Sequence, residues 1–255
     1  MSPLDETAKG WPGGQLLARS ARGDGQHFVL KLRRQNGEFV VLKHFGRKRS
    51  LLRDTLRDWG QRLLVGKTGM HPDRRARTER DTLTTWRREG FDVPRLVGAD
   101  ESQRVIASQP SVVMEFVDGR RFDSFIADPA VALEEKERLL TRLARDWSRR
   151  HARALELNEP LLIQVHASLD HVLYVSPPTE RLVTFDFEVA WSRRHPIARI
   201  AAFEFARELA SLRRCAPASQ CAALEAVVAR AYDAPTRKAV VTASGASGAS
   251  GAAKA

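Results

Sequence analysis

Apolar residues fall into two kinds of run along this chain. Residues 26–32 (QHFVLKL) alternate loosely and lead into Gln35-Asn36-Gly37-Glu38. Asn-Gly favours a hairpin turn because both residues tolerate positive φ. The partner strand is residues 39–45 (FVVLKHF), an apolar run holding one lysine, Lys43. A third run, residues 112–117 (VVMEFV), reads as a buried strand ending at Asp118-Gly119. Residues 172–175 (VLYV) and 182–185 (LVTF) flank Ser176-Pro177-Pro178-Thr179, which predicts a second hairpin.

Helical spacing appears elsewhere. Leu52, Leu56, Trp59 and Leu63 recur with Arg53, Arg57 and Arg62 between them, the pattern of a basic amphipathic helix. Arg74 to Glu89 reads as a helix closed by Gly90 and followed by Val93-Pro94. Leu133 to Leu155, Ile197 to Arg213 and Gln220 to Tyr232 complete the helices. The order is strands, helices, a strand, then helices enclosing a short hairpin. That predicts an α+β chain with an N-terminal antiparallel β lobe over residues 15–117 and a C-terminal helical lobe over residues 118–236. Residues 1–14 read as a loose lead-in, and the Ala-Ser-Gly repeats of 237–255 as a disordered tail.

Composition narrows the partners. The 255 residues carry a net charge of +11, which points to an anionic ligand or surface. Between Arg47 and Arg88, thirteen Lys and Arg face five Asp and Glu. A nucleic-acid binder would share the charge, but no recognisable module or interleaved aromatic platform accompanies it. Cys215 and Cys221 suggest neither a disulfide framework nor a zinc site, which fits a reducing cytoplasm. No apolar run approaches the length of a membrane span, and the N-terminus shows no signal-peptide core.

Chemistry gathers at the second hairpin. Antiparallel pairing brings His166, Ser168, Asp170 and His171 before its first strand beside Asp186 and Glu188 after its second. Carboxylates and imidazoles at one mouth suit a divalent cation, and a cation suits phosphate. Ala21 to Gly25 adds a weak signal for a phosphate loop.

With these pieces in order, residues 15–213 resemble the protein-kinase-like superfamily, nearest to bacterial lipopolysaccharide kinases of the Kdo/heptose type and their small atypical relatives. The resemblance implies that Lys43 in FVVLKHFG holds ATP phosphates and that Glu79 pairs with it. It implies Met114 as gatekeeper, Glu115, Phe116 and Val117 as the adenine-binding hinge, and Asp186 in TFDFEVAW as a metal ligand, with Glu188 in a glycine's place. The family's catalytic loop reads His-x-Asp, four residues, then Asn. Here the loop is HASLDHVLYV. Anchoring on His166 puts Ser168 at the aspartate, and anchoring on the strand puts His171 at the asparagine; both hold only if the loop is two residues shorter. Asp170 or His166 would serve the acceptor, and His171 would join Asp186 at the metal.

The activity so implied is ATP-dependent phosphoryl transfer, with Mg²⁺ or Mn²⁺, to a hydroxyl of a lipopolysaccharide core sugar or similar acceptor. The alternative is a pseudokinase that binds nucleotide or acts as a scaffold without transfer. An acceptor of that kind implies a cytoplasmic protein working at the inner membrane. There the basic segment from Arg47 to Arg62 would meet anionic lipid, each charge contributing on the order of 1 kcal/mol.

Overall fold

The computed structural model describes residues 15–19, 27–34, 36–46, 60, 66–67, 71–98, 110–233, 236 and 238. The lead-in, the loop from Ala21 to Gly25, the basic helix through Leu52 to Leu63 and the Ala-Ser-Gly tail lie outside them, Gly60 and Lys238 apart.

Four strands form an antiparallel sheet in chain order: β1 (Gln15–Arg19), β2 (Phe28–Arg33), β3 (Phe39–His44) and β4 (Ser111–Glu115). The register sets which side chains share a face. Val29 pairs with Lys43, Lys31 with Val41, and Lys43 with Val112. Phe28, Leu30, Leu32, Val40, Leu42 and Val113 make an apolar cluster on one face. Lys43 therefore stands on the opposite face, because side chains alternate along a strand.

That opposite face meets α1 (Pro72–Arg88). The α1 helix closes at Gly90, whose φ of +77° suits glycine. The Gly90 N–H donates to the Arg87 carbonyl and the Phe91 N–H to the Trp86 carbonyl, while the Trp86 and Phe91 rings meet edge to face. This is a Schellman ending with its usual apolar contact.

A three-stranded antiparallel sheet follows, built from β5 (Arg120–Arg121), β6 (Val172–Val175) and β7 (Arg181–Thr184). Helices α2 (Phe122–Ala127), α3 (Leu133–Leu157), α4 (Ile197–Cys215) and α5 (Ala218–Ala231) pack around it. The β6–β7 hairpin stands where the apolar runs place it, shifted by one residue at β7. One apolar cluster belongs to the helical part. Another runs from Phe45, Leu83, Trp86 and Met114 to Ile163, Phe187, Trp191 and Ile200, so sheet, α1 and hairpin share a core. Arg181 of β7 bonds both Asp92, just beyond α1, and Glu115 at the end of β4. The hairpin mouth is thereby fixed beneath the sheet face that carries Lys43.

Candidate active site

Lys43 is the centre of the site. Its Nζ lies 3.0 Å from Glu79 Oε2 and 2.5 Å from Asp186 Oδ1. The same Glu79 oxygen accepts the Phe187 N–H at 3.0 Å. One α1 carboxylate thus holds both the strand lysine and the backbone after Asp186. Burial by itself would lower the Lys43 ammonium; Asp186, Glu79 and Glu188 outweigh it and raise it. Lys43 is therefore cationic at neutral pH. Burial lifts Glu79 above the usual carboxylate range against the pull of Lys43. Asp186 is also buried, but Lys43 and His171 overcome that and hold it below the usual range.

Two further pairs fix this arrangement. Arg75, one turn before Glu79, is fully buried and donates to Glu188. Its guanidinium also lies over the Phe45 ring. The pair ties the start of α1 to the residue after Phe187, whose ring packs on Trp86. Sequence reading missed Arg75, and no local spacing signals a partner so distant in the chain.

At the hairpin mouth, His171 Nδ1 lies 2.7 Å from the His166 carbonyl oxygen. A carbonyl only accepts, so Nδ1 donates to it and the ring turns its Nε2 the other way, toward Asp186. That Nε2 is 3.6 Å from Asp186 Oδ2. One imidazole nitrogen and one carboxylate oxygen thus face each other, as ligands of one divalent cation would. Asp186 itself sits at φ +70°, a conformation that Asp and Asn tolerate better than most residues.

At the sheet end of the cleft, Met114 is buried, pairs with Val41 and bridges to Leu96. The Phe116 N–H donates to the Phe39 carbonyl, and Lys31 Nζ lies 3.7 Å from the Phe116 ring centroid. Among the described residues nothing accepts the Val117 N–H.

No family model and no curated protein matches the chain. Its structure superposes on WaaP, solved in complex with acyl carrier protein, with a TM-score of 0.53 and 14% identity, over 94% of this chain and 86% of that one. The chain has the protein-kinase-like fold. The Rio2 kinase of Chaetomium thermophilum, in its ADP/Mg²⁺-phosphoaspartate complex, aligns more loosely, with a TM-score of 0.45 and 17% identity over 95% of this chain and 73% of that one.

The catalytic loop also admits a register with no residues missing. Ser168 is buried, and its Oγ meets Ser211 Oγ at 2.9 Å. It is held inside the protein rather than offered to the cleft. Counting five residues back from His171, the separation between aspartate and asparagine in the family's pattern, lands on His166. No shortening is needed, and Gln164 falls at the pattern's histidine. Gln164 is placed as an anchor: its backbone N–H donates to Glu204 Oε2, and its side-chain amide donates to the Phe185 carbonyl. His166 is exposed to solvent at the mouth. Burial on one side, together with Lys67, lowers its imidazole below its ordinary value, so it is largely neutral at pH 7. Asp170 Oδ2 lies 3.5 Å from Arg121. Burial would raise its carboxyl, but Ser168, His171 and Arg121 together lower it.

Beneath the loop, α4 carries two buried carboxylates. Glu204 takes both Arg150 nitrogens at 2.9 and 2.7 Å and His151 Nε2 at 3.0 Å. Burial would raise it, but Arg150 and His151 hold it down to about 2. Glu208, one turn on, has a buried Oε2 without a hydrogen-bond partner. Burial and the neighbouring Glu204 charge push it up to about 8. Between its ordinary 4.5 and about 8, the native chain keeps a proton that the unfolded chain has lost. Stability therefore falls as pH rises through that window. Glu208→Gln should remove this decline, gaining roughly 2–4 kcal/mol over wild type at pH 8 and little at pH 4. Denaturant titrations at the two pH values check this; an equal effect at both would contradict it.

Proposed function

We propose that the chain is an ATP-dependent phosphotransferase acting on a hydroxyl of a lipopolysaccharide core sugar or similar acceptor at the cytoplasmic face of the inner membrane. The observation that carries this reading is Lys43 held between Glu79 and Asp186. A cation fixed at a strand end, a helix carboxylate that orients it and a second carboxylate for a metal are the parts that phosphoryl transfer needs in one cleft. Lys43 neutralises nucleotide phosphates and Glu79 keeps it aimed. The free Val117 N–H is a donor for the adenine edge, beside Met114, Glu115 and Phe116.

Asp186 and His171 would hold the divalent cation, which supplies positive charge to the phosphate oxygens. A mixed carboxylate and imidazole pair suits Mn²⁺ better than Mg²⁺, which favours oxygen ligands. His166 orients the acceptor hydroxyl and takes its proton on the neutral imidazole. The acceptor oxygen bonds to the γ-phosphorus as the bond to the β-phosphate oxygen breaks, and ADP leaves. Asp170, paired with Arg121, is the other carboxylate at the loop and the alternative to His166 for the acceptor proton.

The test begins with nucleotide. ATP with Mn²⁺ should raise the melting temperature, by about 2.7 kcal/mol of stabilisation at a hundredfold excess over Kd. Lys43→Ala should remove most of that gain, measured against the variant's own melt without nucleotide, because it also strips Glu79 and Asp186 of a buried counter-ion. An undiminished gain would sink the proposed role of Lys43. The second reading, a pseudokinase that binds nucleotide without transfer, is favoured by imidazoles at the two loop positions. Label from γ-³²P-ATP trapped on a lipopolysaccharide core acceptor, and lost in His166→Ala, separates the two.

A further inference from the structure

Beside His166 lies a second cluster, apart from Lys43, Glu79 and Asp186. Lys67 forms an antiparallel bridge with Trp191, and the Ser192 N–H donates to the Gly66 carbonyl at 2.8 Å. Gly66, at φ +63°, permits this close approach: a Cβ there would lie 2.0 Å from His195 Nε2. Lys67 Nζ stands 4.8 Å from the Trp191 ring centroid. The Trp191 ring meets Phe203 edge to face at 5.5 Å, and Phe203 is exposed. Arg207, one turn further along α4, lies over the Phe203 ring and donates to the Ala167 carbonyl, next to His166.

The cluster is rich in cations; the neighbouring Glu208, pushed up to about 8 by burial and Glu204, is largely uncharged at pH 7. Burial and Arg207 lower the Lys67 ammonium. Among the described residues no carboxylate forms an ion pair with Lys67 or Arg207. The nearby acids are engaged elsewhere, Asp186 by Lys43 and Glu188 by Arg75. Trp191 adds a buried indole N–H without a hydrogen-bond partner. Two cations held near each other and near an imidazole repel, and an anion between them relieves that repulsion. Phe203, propped against the buried Trp191, offers an exposed apolar face for a sugar ring.

We propose that Lys67 and Arg207, on the Trp191–Phe203 ledge beside His166, form an anion subsite for the acceptor, so that the sugar phosphorylated carries a phosphate or carboxylate near its reacting hydroxyl. The subsite rests on the phosphotransferase reading above and adds a requirement to it.

Calorimetric titration of the full chain, saturated with AMP-PNP and Mn²⁺, tests this with three probes: glucose 6-phosphate, glucuronate and glucose. At least one anionic sugar should bind about tenfold or more tightly than glucose, and which one does so identifies the group read. The double variant Lys67→Gln/Arg207→Gln should lose that advantage while binding AMP-PNP within about twofold of wild type. Equal binding of all three sugars, no binding of either anionic sugar, or an undiminished preference in the double variant would overturn the subsite. So would a parallel loss of AMP-PNP affinity, which would assign the two cations to the nucleotide. Failure of the parent chain to bind AMP-PNP would instead overturn the phosphotransferase reading, and is read first in the same titration.

Discussion

Glu204→Gln should cost about 3–5 kcal/mol of folding stability, the usual cost of removing one partner from a buried ion pair. The substitution keeps the side chain's shape and removes its charge. Arg150, only 3% exposed, is left without a counter-ion, and His151 Nε2 and the Gln164 N–H face a weaker acceptor. Tyr232 donates its hydroxyl to His151 Nδ1, so the disturbance reaches the segment after α5 as well. Guanidinium unfolding of the variant measures the loss, and a cost below about 1 kcal/mol would show that the network carries little of the fold. Because Glu204 holds the Gln164 backbone, nucleotide-dependent transfer should fall in the same variant even at temperatures where it stays folded.

Asp186→Asn should do the reverse, sparing the fold and removing the chemistry. Asparagine tolerates the φ of +70° found there, and Lys43 keeps Glu79 as its partner. Melting without nucleotide should therefore stay close to wild type. The amide offers a divalent cation a neutral oxygen in place of a charged one, so ATP affinity should become nearly independent of Mn²⁺. Phosphoryl transfer should drop by about 10²–10³-fold or more, the scale for losing one preorganised electrostatic element. A variant that keeps a metal-dependent ATP affinity would refute Asp186 as a ligand. A variant that simply unfolds would make it a structural hydrogen-bonding residue.

How much of this was legible in the sequence depended on whether chemistry and hydrophobic pattern coincided. The β6–β7 hairpin was readable because its strands are β-branched and aromatic and its turn holds two prolines. Lys43 stood out as the one charge in an apolar strand. The α1 helix was harder. Its buried stripe includes Arg75, Thr78, Glu79, Thr82 and Thr85, so apolar periodicity is weak and Gly90 supplied the main signal. The catalytic loop was the hardest part, because the family's pattern is spelled His, Asp, Asn and this chain has no such set. Matching by letter takes His166 as the first position. Spacing from the strand, a geometric rather than chemical cue, offers a second register with Gln164, His166 and His171 at the three positions. Lys67 was one basic residue among thirteen, and only the bridge to Trp191 distinguishes it.

The direct contact between Lys43 and Asp186 has a thermodynamic consequence for ligands. A nucleotide that engages Lys43 without a metal must break that contact and leave the Asp186 carboxylate facing phosphate. A metal that engages Asp186 without a nucleotide leaves Lys43 beside a new positive charge. Arriving together, each gives one partner a fresh opposite charge, and neither penalty survives. On the phosphotransferase reading the two affinities are therefore coupled, and by reciprocity each ligand would tighten the other by the same factor. The cleft would behave as a lock that opens only to two keys turned together.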